Sequence, residues 1–350
     1  MSFLTVARKE FMDHLSGKRF LVIFAILMAV TLLSTYQGID RYDMQLEQYK
    51  ERVEEVQKRE EMIHEMEEEN PEQAEQMKKY SRPMPNKPSM LLVFTSMQSY
   101  FTGVGLILAL ALGFDLISRE KETGSLKSLL SHPVFRDSVI NGKILGALMA
   151  LGFAMVIVTL FTVGFLSFYG LNPTGSEIPR LTVFMGISLL FLVAYFSIAI
   201  FSSTVAEGSR QAILVALVLV VLTTYLLPVL GDAAAKHIIG EQPSISGLSG
   251  SDEEQIKKQW QELQEYWQKR QDVMDYFTVL SPKGGYTDLS MQVVSPEFAK
   301  GMWSPYGDEP EPPSLGETLR HNWINLLSLT VLPFILLVAS YVKFMRLDIR

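Results

Sequence analysis

Apolar residues gather in six uncharged blocks, 20–36, 90–114, 144–168, 181–204, 211–230 and 323–342, divided by polar stretches of unequal length. A helix needs about 20 apolar residues to cross a hydrocarbon core roughly 30 Å thick. Each block is near that length, and the first is the shortest. The pattern predicts an all-α membrane protein with six transmembrane helices. Six crossings put both ends of the chain, 1–19 and 343–350, on one side, together with 115–143 and the short loop 206–210. Two large segments, 37–89 and 231–321, then lie on the other side.

The polar stretches carry helical patterns of their own. In 2–19, Phe3, Leu4, Ala7, Phe11 and Leu15 share a face opposite Arg8, Lys9 and Asp13, which predicts a basic amphipathic helix lying in the interface. In 37–89, Leu46, Tyr49, Val53, Val56 and Ile63 recur at coiled-coil-like spacing until Pro71 and the proline-rich run 82–88. Ile256, Trp260, Leu263, Trp267, Met274 and Phe277 do the same in the second large segment. Both segments are therefore expected to be mostly helical, with the two apolar stripes packed on each other or on a second copy. Gly284-Gly285 reads as a turn. Between the second and third blocks, Leu126, Leu129 and Leu130 stand at i, i+3, i+4. The polar run 120–125 precedes them and Pro133 follows, which predicts a short amphipathic helix at the membrane face.

Charge chooses the side. The segments grouped with the termini hold 13 Lys and Arg in 61 residues, against 18 in 155 on the other side. The denser side is cytoplasmic by the positive-inside rule, so both termini and the 115–143 loop are expected in the cytoplasm of a multi-pass plasma-membrane protein. A net charge of −7 argues against any general affinity for nucleic acid or anionic lipid. There are no cysteines, so disulfides and thiolate metal sites are excluded.

The order of residues in the loop is more specific than its charge. Glu120-Lys-Glu-Thr-Gly-Ser-Leu126, then Leu129-Leu130-Ser-His-Pro133, Arg136 and Gly142-Lys143 resembles the cytoplasmic loop of ABC-2 type transporter permeases. Lys121 stands where those usually have Arg, and Ser125 where they have Thr. Ala7-Arg-Lys-Glu10 is similar to their N-terminal interfacial helix. The two large segments carry no part of the match. Their size is similar to that in the sodium-exporter and nitrous-oxide-reductase-maturation branches.

The resemblance implies a coupling helix docked on a separate ABC ATPase subunit, with Glu120, Lys121, Glu122, Gly124, Leu126, Lys127, Leu129, Leu130, Pro133 and Arg136 as contacts. The leucines would face the spans or the partner's cleft, and the charges its rim. It also implies a second permease copy, identical or related, and export of an unidentified substrate. ATP and magnesium would sit on the ATPase, and this chain would hold no cofactor and do no catalysis.

The remaining chemistry is sparse. No Gly-x-x-x-x-Gly-Lys-Ser/Thr loop occurs in these 350 residues, so a nucleotide triphosphate has no P-loop here. No histidine has another three or four residues away, and Met62-Ile-His64-Glu-Met66 does not converge on one helix face, so no metal site is expected. The apolar blocks contain no Asp, Glu, Lys, Arg or His, unlike proton relays and voltage sensors. They offer Gln98, Tyr100, Tyr195, Thr223, Thr224 and Tyr225, candidates for a substrate path or for gluing helices together. Two other functions fit the same layout. One is an ATPase-driven extracytoplasmic maturation or motility machine with a protein partner outside. The other is an ATP-independent transporter or anchor.

Overall fold

The computed structural model describes residues 3–79, 87–126, 135–175, 177–243, 253–296 and 313–347, and every regular element among them is helical. In chain order they are α1 (Phe3–Ser16), α2 (Lys18–Glu69), α3 (Pro71–Lys79), α4 (Val93–Gly113), α5 (Ser118–Glu122), α6 (Arg136–Phe168), α7 (Glu177–Val205), α8 (Ser209–Val221), α9 (Leu227–Ile239), α10 (Glu253–Thr278), α11 (Pro282–Val294), α12 (Leu315–His321) and α13 (Trp323–Met345). A 3-10 turn, Met90–Leu92, leads into α4, and a π turn, Leu222–Leu226, joins α8 to α9. Six helical stretches, Lys18–Glu67, Met90–Glu122, Arg136–Phe168, Glu177–Val205, Ser209–Ile239 and Trp323–Met345, are long and apolar enough to cross a membrane.

The helix of the first apolar block does not stop where that block stops. α2 runs unbroken for 52 residues, roughly 78 Å at 1.5 Å per residue. Nothing between Tyr36 and Glu69 breaks it, because the stretch is rich in Glu, Lys, Gln and Met and its first proline is Pro71. Gly38 lets it pass close under the start of α4, where a Cβ would stand 2.6 Å from the Val93 carbonyl oxygen. Pro71 opens α3, which folds back on the end of α2 through the Lys78–Glu67 ion pair and buried Ala74 and Ile63.

The centre of the bundle is α7. Phe191, Leu192, Tyr195, Phe196 and Ile200 on it are fully buried, and α4, α8, α11 and α13 pack around it. The π turn lies just before Pro228, whose missing N–H and ring would otherwise disrupt the bond to the Thr224 carbonyl. Thr224 points inward instead and bonds the Tyr195 hydroxyl at 2.8 Å.

Two expectations are corrected on the far side of the bundle. Gly284-Gly285 is not a turn between elements but the first turn of α11, which Ser281 caps by accepting from the Gly284 N–H. α11 inserts between α4, α7 and α13. Gly285 is small because α13 is adjacent: a Cβ would come 2.8 Å from the Asn325 carbonyl oxygen. Tyr286, wholly buried, lies against Phe191 at 4.5 Å and shares a 3.0 Å hydrogen bond with Ser188. Among the described residues the apolar stripes of the two large segments do not pack extensively on each other. The Leu263 stripe lies on α9, where Arg270 pairs with Asp232 and Gly231 abuts Met274 and Phe277. The end of α2 has α3.

Candidate functional site

At the end of the bundle where α1 lies, the chain brings together the loop after α4, the start of α6, the α7–α8 turn and the end of α13. α1 crosses α6 at very short range because two glycines one turn apart leave room. A Cβ on Gly142 would meet Val6 at 2.6 Å, and one on Gly146 would meet the Ala7 carbonyl at 2.7 Å. Small residues four apart are the usual device for such approaches in membranes.

Between those glycines, Lys143 is buried, its side chain 2% exposed. Its Nζ donates to Glu10 Oε1 at 2.8 Å and Glu120 Oε1 at 2.7 Å. A buried ammonium is tolerated only with such pairing. One lysine thus ties α1, α6 and α5.

α5 is short, and its backbone ends are satisfied from outside. Ser203 Oγ accepts from the N–H groups of Ile117 and Ser118, both at 2.9 Å. Lys121 Nζ donates to the carbonyls of Thr204 at 2.5 Å and Ala206 at 3.0 Å, covering oxygens left free at the end of α7. Glu122 Oε2 accepts from the Ser209 N–H at 3.0 Å, placing a carboxylate at the positive N-terminus of α8. Gly124 then turns the chain with φ +72, a left-handed conformation that favours glycine, and Leu126 is 3% exposed. Arg136 donates to the Leu347 carbonyl at 2.9 Å, holding the end of α13. Arg19 Nη1 pairs with Asp115 Oδ2 at 2.5 Å.

The structure gives Glu120 and Lys121, both half-buried, and Glu122, exposed, hydrogen-bond partners on the chain's own helices. Gly124, Leu126 and Arg136 lie in the same junction. Lys127, Leu129, Leu130 and Pro133 lie outside the described residues. Glu10, Ser203, Ser209, Arg19 and Asp115 belong to the junction and are not evident from the loop sequence. The Gly142-x-x-x-Gly146 spacing is the one signal that could have pointed to the α1 crossing.

The six hydroxyl and amide residues of the apolar blocks do not converge. Gln98 donates to the Thr287 carbonyl at 2.9 Å, Tyr195 and Thr224 bond each other, and Thr223 bonds the Leu219 carbonyl on its own helix. Tyr100, 44% exposed, donates to Gln37 at 2.9 Å. Tyr225 is exposed, with Lys283 Nζ 5.2 Å from its ring centre. Each has a local structural partner. Among the described residues no group of His, Asp and Glu gathers as metal ligands do.

The charged loop, α1 and six candidate spans extend over nearly the whole chain, and so does one family match. Residues 4–349 match the family described as ABC-2 family transporter protein. The chain belongs to the ABC-2 transporter family. It is a multi-pass membrane component of such a transporter, and membership implies an ABC ATPase as its partner. No curated protein matches the chain.

Proposed function

We propose that this permease receives the motion of its ATPase at the α5 junction, which faces the cytoplasm with both termini, and that the complex exports its substrate. ATP and magnesium reside on the ATPase subunits, and a second permease, identical or related, completes the path. One observation carries the reading: α5 is tied at once to α1 and α6 through Lys143, to α7 through Ser203 and Lys121, and to α8 through Glu122. A push on the segment beyond Gly124 reaches four helices. In this reading Glu120, Lys121, Glu122, Gly124, Leu126 and Arg136 root the segment, while Lys127, Leu129, Leu130 and Pro133 meet the ATPase. The Lys and Arg density of the junction side supports the orientation.

The experiment is Leu129→Asp in the full chain. Loss of an apolar anchor at an interface costs about 2 kcal/mol or more. ATP hydrolysis should no longer be linked to export, while the chain still inserts. Export at the normal rate sinks the assignment. A second reading, an ATPase-driven machine acting on an extracytoplasmic protein, has one supporting observation. α2 continues 33 residues past Tyr36, roughly 50 Å of helix, with α3 folded on its end. The large segments also support the sodium-exporter and nitrous-oxide-reductase-maturation branches by size. An extracytoplasmic protein copurifying with the ATPase favours this second reading.

A further inference from the structure

Two cavities share part of their wall at the start of α2. One, about 520 Å³, is polar and lies between α1, the end of α4 and α5. The other, about 570 Å³, is lined by apolar side chains of α2, α4 and α8, with only Lys18 and Arg19 charged. Lys18, Arg19 and Ala111 line both. The apolar cavity opens on an exposed apolar surface of the bundle, where Val22, Ile107 and Leu217 are more than half exposed. The pair has the layout of an amphiphile: an apolar trough, two cations at the junction, then a polar chamber.

The chamber carries both signs, Lys9, Lys18 and Arg119 against Asp13 and Glu120. It also holds two buried polar atoms without a hydrogen-bond partner, Glu120 Oε2 and His14 Nε2. Such atoms are costly to leave unmet. Glu120 already gives its other oxygen to Lys143, so Oε2 is an anionic acceptor awaiting an N–H or O–H donor. Burial, ahead of the nearby charges, lowers the His14 pKa, which favours the neutral ring.

We propose that the two cavities form a binding site for an aminophospholipid of the adjoining leaflet, its acyl chain in the trough, its phosphate at Lys18 and Arg19, and its amine at Glu120. A phosphate with a primary amine matches both signs of the wall and supplies the N–H donor. A quaternary choline supplies the cation without the donor, and glycerol supplies donors without the cation. The site uses residues on one side of the membrane only and does not depend on whether that side is cytoplasmic.

The test is native mass spectrometry of the purified full chain with phosphatidylethanolamine, phosphatidylcholine and phosphatidylglycerol added separately. Phosphatidylethanolamine should be retained about tenfold more tightly than the others, the size of one charge-assisted hydrogen bond. Ala111→Trp, on the wall that the cavities share, should abolish retention. Lys18→Ala, at an exposed position that folding does not need, should weaken all three lipids alike. Equal retention of the three, or retention of phosphatidylethanolamine untouched by both variants, overturns the proposal. So does a lipid-free chain whose Ile107→Cys variant cross-links to a second copy in membranes, which would give the trough to a subunit contact.

Discussion

Replacing Lys143 with methionine keeps most of the side chain's length and removes its charge, leaving Glu10 and Glu120 facing each other with no cation between them. Removing one member of a fully buried ion pair costs about 3–5 kcal/mol. The lysine is 2% exposed, but its two carboxylates are 13% and 27% exposed, so water recovers part of that. A loss of about 2–4 kcal/mol is expected. The damage should be local first, since Lys143 is what joins α1 and α5 to α6. Thermal melting in detergent, with hydrogen exchange over 3–16 and 115–126, reads both effects. The triple variant Lys143→Met, Glu10→Gln, Glu120→Gln removes the stranded charges and should regain most of the loss, because the three residues form one coupled set. Melting of Lys143→Met within error of the parent, or a triple variant worse than the single one, would refute the reasoning.

Three further outcomes follow from other parts of the bundle. Tyr195→Phe removes the hydroxyl that holds Thr224, so it should cost about 1 kcal/mol and leave export intact. Export lost at unchanged stability would place Tyr195 on a substrate path. Gly285→Val should push α11 from α13 and lower the melting temperature, whereas the same change at Gly103, where a Cβ meets nothing within 4 Å, should be tolerated. Burial, and then the charge of Asp275, raises the Asp288 carboxyl to about 6. The folded chain then holds a proton there that the unfolded chain releases near 4. That stabilisation is complete below about pH 4 and is lost as pH rises through about 6. By pH 7 the charged carboxylate costs up to about 3 kcal/mol, so Asp288→Asn should melt higher at pH 7 and no higher at pH 4.

The sequence made the bundle legible because spanning a membrane is a strong constraint: six uncharged blocks near the required length become six apolar helices. α1 was legible for the same kind of reason, since Phe3, Ala7 and Phe11 share one face. The change of composition at Tyr36 is different. It marks where the surroundings of α2 change, not where the helix ends, and only Pro71 ends it. α11 was not legible, because Pro282–Val294 is neither an apolar run nor strongly amphipathic. Its burial comes from a niche that three distant helices make, and Gly285 reads as a turn residue until α13 is beside it. In the junction, the motif singled out the loop but not the partners of its charges. Glu120, Lys121 and Glu122 look like solvent-facing residues in sequence. Their partners, Lys143, the carbonyls of Thr204 and Ala206, and the Ser209 N–H, are up to 87 residues away.

The central claim is that the segment beyond Gly124 is seated on an ATPase. A photo-reactive amino acid placed at Leu129 of the full chain, activated in native membranes, tests it most directly. The account predicts a single major adduct to a P-loop ATPase, lost when Leu130→Asp is added. Adducts only to lipid or to an extracytoplasmic protein, with the chain correctly inserted, would contradict it.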